Sequence, residues 1–270
     1  MEQHLITIDL DGTLLLSFME YDQETINYLK KLHNEGHLIM IATGRPFRSS
    51  YFIYEMLGLK TPIINYNGAL VTNPSDHNFK GTDLRINRNE LFDILNYADN
   101  YLINVFSEIH DDIYVQDYNS SIHSYLHTDG GVLHEGRLQD NLPENPNGAI
   151  LFVKEEFVKP LADYVKQKYP NTLYSRYWGE NEKFHIVEIY NKHVNKGEGL
   201  KQAMDYYHIP KNRVIAIGDG HNDIEMFTCA GIKVAMKNAH KDLLPHATFI
   251  TDTNKEQGVL KFLKKYFNLD

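Results

Sequence analysis

The sequence predicts an α/β fold, with a parallel sheet built from both ends of the chain and an α+β domain inserted between them. Two observations carry this expectation. Short apolar runs alternate with helix-spaced segments in residues 1–82 and again in 190–270, and the rhythm lapses across 83–189. Nearly continuous apolar runs suit strands covered on both faces, and strand–helix alternation implies parallel strands joined by crossovers. A chain of 270 residues is long enough for one large domain or two smaller ones.

Taken in order, the run from Leu5 to Asp9 reads as a buried strand. Ile26, Leu29 and Leu32 then fall at helical spacing, and Gly36 is a natural stop. Leu38 to Ala42 is a second buried strand that ends at "TGRP", where Pro46 suits the first turn of a helix closed by Gly58. "TPIINYNGALV" supplies a further strand and a turn. In the insertion the strands look shorter and more aromatic ("LINVF", "IYVQ"), a helix is expected from Val158 to Tyr169, and "DNLPENPNGA" reads as an exposed loop. The first rhythm returns with a helix from Gly197, a strand from Val214 to Ile217, a helix from Asn222 to Cys229, a strand from Ile232 to Ala235 and a terminal helix from Gly258.

Composition narrows the function. A formal charge of −9 argues against a nucleic-acid-coating surface or a polybasic membrane anchor. Cys229 is the only cysteine, which excludes an intrachain disulfide and suits a reducing compartment. With no basic leader and no bilayer-length apolar run, a soluble cytoplasmic protein is expected. Two histidine pairs, His33/His37 and His123/His127, are spaced to share a helix face, but neither sits in a metal-binding motif, so ordinary imidazoles are expected. No sequence feature reports an oligomeric state.

Ligands of open parallel sheets bind at the carboxyl ends of strands. Three polar clusters fall at such ends: Asp9 and Asp11; Thr43, Gly44 and Arg45; and "GDGHND", Gly218 to Asp223. Parallel strands would bring them to one sheet edge. Asp9, Asp11, Asp219 and Asp223 would repel one another unless a cation intervened, and Mg2+ favours such oxygen ligands together with phosphate. The Thr43 hydroxyl, glycine-turn amides and Lys196 could meet an anion. Metal, phosphate, hydroxyl and ammonium together describe a phosphoryl-transfer site.

These residues also carry a family resemblance. "DLDGTL", "ATGR", Lys196 and "GDGHND" resemble, in order, the four motifs of the haloacid dehalogenase superfamily. "NGA" at Asn67, "VNKGEGL" and "AMKNA" resemble its Cof-type, subclass IIB branch, though Lys237 stands where a glycine is usual and His221 occupies a variable position. The resemblance implies a Rossmann-like core (1–82 and 190–270) and a substrate-selecting cap (83–189) that closes over the sheet edge. It implies that Asp9 is the nucleophile and Asp11 the proton carrier. It implies Mg2+ on the Asp9 carboxylate, the Asp11 backbone carbonyl and Asp219, with Asp223 nearby. Thr43, Gly44, Lys196 and Asn222 would hold phosphate. Arg45 would touch substrate or brace the carboxylates, and Asn67 and Asn238 are weaker candidates that could equally be turn residues.

The expected activity is hydrolysis of small phosphorylated metabolites, sugar phosphates first, with flavin mononucleotide or pyridoxal phosphate as alternatives. A sugar phosphomutase or a non-catalytic phospho-ligand sensor on the same fold are the competing readings. A calcium loop starting at Asp9 fails, because Leu14 stands where glycine is needed and the preceding segment is strand-like. No phosphate-loop or nucleophile-elbow motif is present. Tyr114, Tyr125, Tyr177 and Trp178 could stack on a ring, but packing is the ordinary role of such residues.

Overall fold

A computed structural model describes residues 2–128 and 130–267. Its elements, in chain order, are β1 (Leu5–Ile8), α1 (Gln23–Asn34), β2 (Leu38–Ala42), α2 (Phe47–Leu57), β3 (Ile63–Asn65), β4 (Leu70–Thr72) and β5 (Thr82–Asp83). Then follow α3 (Arg88–Ala98), β6 (Leu102–Ile109), β7 (Asp112–Val115), β8 (Leu133–Glu135), α4 (Leu138–Asn141), β9 (Gly148–Val153), α5 (Val158–Lys168), β10 (Leu173–Glu180) and β11 (His185–Asn191). The chain ends with α6 (Lys196–Tyr207), β12 (Val214–Gly218), α7 (Ile224–Cys229), β13 (Ile232–Ala235), β14 (Phe249–Ile250) and α8 (Gly258–Phe267). Two compact units emerge: Met1–Arg45 with Ser50–Thr82 and Asn195–Asp270, and Pro46–Ser49 with Asp83–Val194.

The fold is α/β, as the sequence predicts. The first unit's sheet has the order β14-β13-β12-β1-β2-β3-β4-β5. From β14 to β3 every pairing is parallel. After β1 the chain builds outward through β2 and β3, then returns to build the other flank through β12 and β13. β1 therefore sits where the strand order reverses, the place where open sheets leave a crevice. Leu5, Ile6 and Ile8 are wholly buried because both faces of β1 are covered.

Local signals start and stop the helices. Asp22 caps α1 by accepting the Thr25 N–H at 2.7 Å. Asn195 caps α6 by accepting the Glu198 N–H at 2.9 Å, and His208 ends that helix in the left-handed conformation. Among the described residues, no helix is long and apolar enough to cross a membrane.

The second unit is a six-stranded sheet, β10-β11-β9-β6-β7-β8, antiparallel except where β7 meets β8. Strand alternation divides its side chains between two faces. Val105, Leu151, Val187 and Ile189 pack with Leu91 and Leu95 of α3 and Leu161 and Val165 of α5. The opposite face carries a smaller cluster of Phe106, Ile113, Phe152 and Ile186, partly covered by Ile122 and Leu126.

Three sequence expectations need correction. The strands of the insertion are longer, not shorter: β6 and β10 have eight residues each, against four in β1. Polar positions such as Asn104 and Arg176 interrupt their apolar pattern and hide their length. "DNLPENPNGA" is exposed only in part, since Pro146 and Asn147 are buried. There the Asn147 side chain accepts the His110 N–H at 2.8 Å and donates to Asp83 at 3.0 Å. The expected helix from Asn222 begins as a 3-10 turn, with α7 regular only from Ile224. As expected from the stop at Gly36, His37 lies beyond the end of α1, buried against Phe267, where it accepts the His4 N–H at 3.1 Å.

Candidate active site

Register brings the three clusters together. Ile8 pairs with Ile217 on one side and with Ile41 on the other, so Asp9, Gly218 and Ala42 emerge at the same level. The Asp9 N–H continues the ladder by donating to Ile217 O at 3.0 Å. The chain then turns sharply at Gly12, whose φ of +75° is in the left-handed region. A Cβ at Gly12 would meet Asp219 Oδ2 at 2.2 Å, so glycine is required both for the turn and for the approach of Asp219.

Lys196 is the centre of the cluster. Its ammonium, fully buried, donates to Asp9 Oδ1 at 2.6 Å and to Asp223 Oδ1 at 2.7 Å. A cation in the first turn of α6 opposes the helix dipole, so these two carboxylates must hold it there. α6 reaches this position by packing closely on α7, where a Cβ on Gly197 would meet Glu225 O at 2.6 Å. Asp223 Oδ2 accepts the N–H groups of Asp219 and Gly220 at 3.0 and 2.9 Å, which fixes the loop after β12. Asp219 Oδ1 accepts the Thr13 hydroxyl at 2.8 Å.

Charge is not balanced by this arrangement. Asp9, Asp219 and Asp223 offer oxygens within 4.8 Å of one another around a single ammonium. Two like charges about 4 Å apart repel by about 4 kcal/mol at an effective dielectric near 20. Burial accordingly pushes Asp9 well above the usual carboxylate range, opposed by Lys196 and reinforced by Asp223 and Asp219. Burial pushes Asp219 up to about 6 against the Thr13 hydrogen bond, and the charge of Asp223 adds to the shift. Burial would lower Lys196, but Asp223 and Asp9 outweigh it and hold the ammonium above its ordinary range. Among the described residues, Asp9 Oδ2 and Asp219 Oδ2 receive no hydrogen-bond donor. Hard oxygen donors, excess negative charge and two open acceptor atoms fit a magnesium ion.

A second layer surrounds this cluster. Arg45 Nε donates to Asp11 Oδ2 at 2.8 Å and its Nη2 to Asp11 Oδ1, so the pair is bidentate. The same guanidinium lies 4.2 Å from the Phe18 ring centroid and donates to Phe18 O. Thr43 is buried, and its hydroxyl oxygen accepts the Arg45 N–H at 3.1 Å, leaving its proton to donate elsewhere. Gly44 lies against the Asn67 side chain, which accepts from Asn222 Nδ2 at 2.7 Å. Asn238 Nδ2 donates to Gly12 O at 2.8 Å and its Oδ1 accepts the Asn254 N–H.

Every catalytic, phosphate and metal candidate from the sequence, with Arg45, Asn67 and Asn238, thus lies in the first unit, linked to its neighbours by the contacts above. Their detailed arrangement differs from one to the next: Arg45 braces Asp11, Asn222 is occupied by Asn67, and Asn238 supports the Gly12 turn. Thr13 and Phe18 went unnoticed in the sequence. Thr13 follows the Asp-Gly turn directly and was readable only as a turn residue, because its partner Asp219 is 206 positions away. Of the aromatic candidates, Tyr114 is buried and stacks on His134 at 4.5 Å, and Tyr125 packs edge-on to Phe152. Tyr177 and Trp178 are exposed.

Comparison with known proteins matches this chemistry. The chain belongs to the haloacid dehalogenase-like hydrolases, whose family pattern spans residues 6–263, and it is a phosphatase of the Cof-type branch. It is 34% identical over 267 residues to the 5-amino-6-(5-phospho-D-ribitylamino)uracil phosphatase YitU of Bacillus subtilis, covering 98% of each chain. A second 5-amino-6-(5-phospho-D-ribitylamino)uracil phosphatase of Bacillus subtilis, YwtE, is 26% identical over 293 residues, covering 96% of each chain. A crystal structure from Thermotoga maritima superposes with a TM-score of 0.81 at 24% identity, covering 98% of this chain and 97% of that one, and is similar in fold.

Proposed function

We propose that the chain hydrolyses a phosphomonoester of a small metabolite through a covalent phosphoryl group on Asp9. The observation that carries this reading is the buried Asp9 carboxylate at the end of β1, with one oxygen held by Lys196 at 2.6 Å and the other open. Lys196 thereby orients the carboxylate, whose two oxygens divide between attack on phosphorus and contact with the metal. Asp9 attacks phosphorus and the bond to the leaving oxygen breaks as Asp11 gives that oxygen a proton. Water then attacks the same phosphorus, Asp11 takes its proton, and the Asp9–phosphorus bond breaks. Arg45 holds both oxygens of Asp11, so one of those bonds must loosen when the carboxyl carries the proton.

Thr43 and Lys196 donate to the phosphoryl oxygens and offset the charge that develops on them. Mg2+ would be held by the Asp9 and Asp219 carboxylates and the Asp11 backbone carbonyl, with Asp223 orienting the loop; when bound, it neutralises charge on the phosphate. The unit containing Asp83–Val194 selects the leaving group. The favoured substrate is 5-amino-6-(5-phospho-D-ribitylamino)uracil, the substrate after which YitU and YwtE are named. It is a ribityl phosphate carried on a nitrogen heterocycle, and so lies nearer the flavin mononucleotide alternative than a simple sugar phosphate.

Turnover of p-nitrophenyl phosphate and of a phosphometabolite panel tests the reading. Activity should require Mg2+, vanish on chelation and vanish in Asp9→Asn. Undiminished turnover by Asp9→Asn would overturn it.

A further inference from the structure

The turn that follows β3 is held in a conformation that costs free energy. Tyr66, Asn67 and Gly68 follow one another with φ of +49°, +56° and +106°, all in the left-handed region, and only the last is glycine. Asparagine is tolerated there, whereas a bulky residue such as Tyr66 is an outlier. Strain of this kind persists only where the surroundings over-determine it. Here the Tyr66 N–H donates to Arg45 O at 3.2 Å, the Asn67 N–H to Thr43 O at 3.0 Å and Asn65 Nδ2 to Arg45 O at 3.0 Å. A Cβ on Gly68 would meet Asn195 O at 2.3 Å, so the turn is also pressed against the residue before Lys196.

The strained turn places one amide. The Asn67 side chain is buried, wedged between Gly44 and Asn222. Its Oδ1 accepts from Asn222 Nδ2 at 2.7 Å, a bond between loops 155 positions apart. The other end of the Asn222 amide is confined too, since its Oδ1 lies 2.2 Å from where a Cβ on Gly220 would stand. An amide held at both ends cannot turn over, so its second N–H keeps one direction. Among the described residues that N–H has no acceptor. Asn222 stands between Asp219 and Asp223 in the loop after β12, which carries this donor to the edge of the carboxylate cluster.

We propose that Asn67 is a positioning residue for phosphate binding. Its side chain holds the Asn222 amide so that the second N–H of that amide meets a phosphoryl oxygen, and its own N–H ties this donor to the Thr43 backbone. The Thr43 hydroxyl and the Asn222 N–H are thereby spaced by one rigid turn before the anion arrives, and donors fixed in advance cost no reorganisation when charge reaches them. Asn67 acts through Asn222 and does not itself touch the phosphate. The inference rests on the phosphatase reading in one respect, that the anion held there is the substrate's phosphoryl group.

Isothermal titration of inorganic phosphate into the Mg2+-loaded protein reads the effect without turnover. Asn67→Gly removes the amide but keeps the left-handed turn, so the fold tolerates it. Its Kd for phosphate should rise about three- to tenfold, in line with the loss of one hydrogen bond, while the melting temperature changes little. Asn67→Ala should raise Kd equally but melt earlier, because alanine strains the turn. A double-mutant cycle decides the route of the effect. Added to Asn222→Ala, Asn67→Gly should cost no further affinity. An unchanged Kd in Asn67→Gly, a loss confined to Asn67→Ala, or additive losses in the double variant overturns the proposal. An unchanged Kd in Asn222→Ala also overturns it, and leaves the phosphatase standing if p-nitrophenyl phosphate is still hydrolysed. The expected cycle without turnover of any ester keeps the positioning role and removes the hydrolysis. Wild-type protein that neither binds phosphate nor hydrolyses an ester removes both.

Discussion

Replacing Lys196 by methionine removes the ammonium that pairs with buried Asp9 and Asp223, with half-buried Asp219 close by. The wild-type ammonium makes contacts of 2.6 and 2.7 Å, and each like-charged pair left behind contributes repulsion of about 4 kcal/mol at an effective dielectric near 20. Removing one partner of a buried ion pair costs about 3–5 kcal/mol, a large share of the 5–15 kcal/mol that holds a typical protein folded. Part of the cost is relieved by protonation. Burial already holds the Asp9 pKa above its unfolded value of 3.8, and loss of Lys196 raises it further. For an acid whose folded pKa is raised, stability falls as pH rises above the unfolded value. Lys196→Met should therefore be destabilised most at pH 7, and its deficit should shrink towards pH 5. Urea denaturation in chelator at both pH values, repeated with Mg2+, measures this. The expected deficit at pH 7 is about 3 kcal/mol or more, partly recovered by Mg2+. A deficit under about 1 kcal/mol, equal at the two pH values, would refute the claim that this lysine holds the carboxylates together.

Other perturbations test separate parts of the site. Gly12→Ala forces a side chain into the left-handed region, at about 1–2 kcal/mol, and drives its methyl into Asp219; Mg2+ titration of activity should show weaker metal binding. Thr13→Val removes the hydroxyl from Asp219 Oδ1 at a cost of about 1 kcal/mol, so the Mg2+ concentration for half-maximal activity should change several-fold while the melting temperature moves little. In the second unit, Lys168 first, then Tyr164 and Tyr169, hold Asp93 down to about 2. That depressed pKa contributes stability above the unfolded value of 3.8 that is lost as pH falls through about 2. Because the pair is about a third to a half exposed, screening limits its worth to about 1 kcal/mol or less. Asp93→Asn should show that deficit at pH 7 by chemical denaturation and lose it at the acid end.

Much of the fold was legible because β1, β2 and β12 are nearly pure apolar runs, and buried parallel strands have to be. Asp9 and Asp219 stood out for a related reason: charged groups next to such runs lie at strand ends, and a parallel sheet collects those ends, whereas Lys196 stood out as a cation at a helix start. Thr13 and Phe18 were hidden because their value comes from partners that only the folded chain supplies. The Asn67–Asn222 hydrogen bond was equally hidden, since it joins loops 155 positions apart. Polar positions within β6 and β10 also disguised those strands as shorter ones. Burial was harder to read than order along the chain, as Asn147 shows: a polar residue in a Pro/Asn/Gly-rich stretch is buried because its amide joins His110 to Asp83.

The central claim is that Asp9 carries the phosphoryl group. Its most direct test is acid-quenched mass spectrometry of Asp11→Asn incubated with Mg2+ and a turned-over phosphomonoester, in which release of the group from Asp9 should be slowed. The account predicts one phosphoryl adduct on the peptide containing Asp9, dependent on substrate and absent when Asp9 is also changed to Asn. Phosphate release without any such adduct, at a rate unaffected by Asp9→Asn, would contradict it.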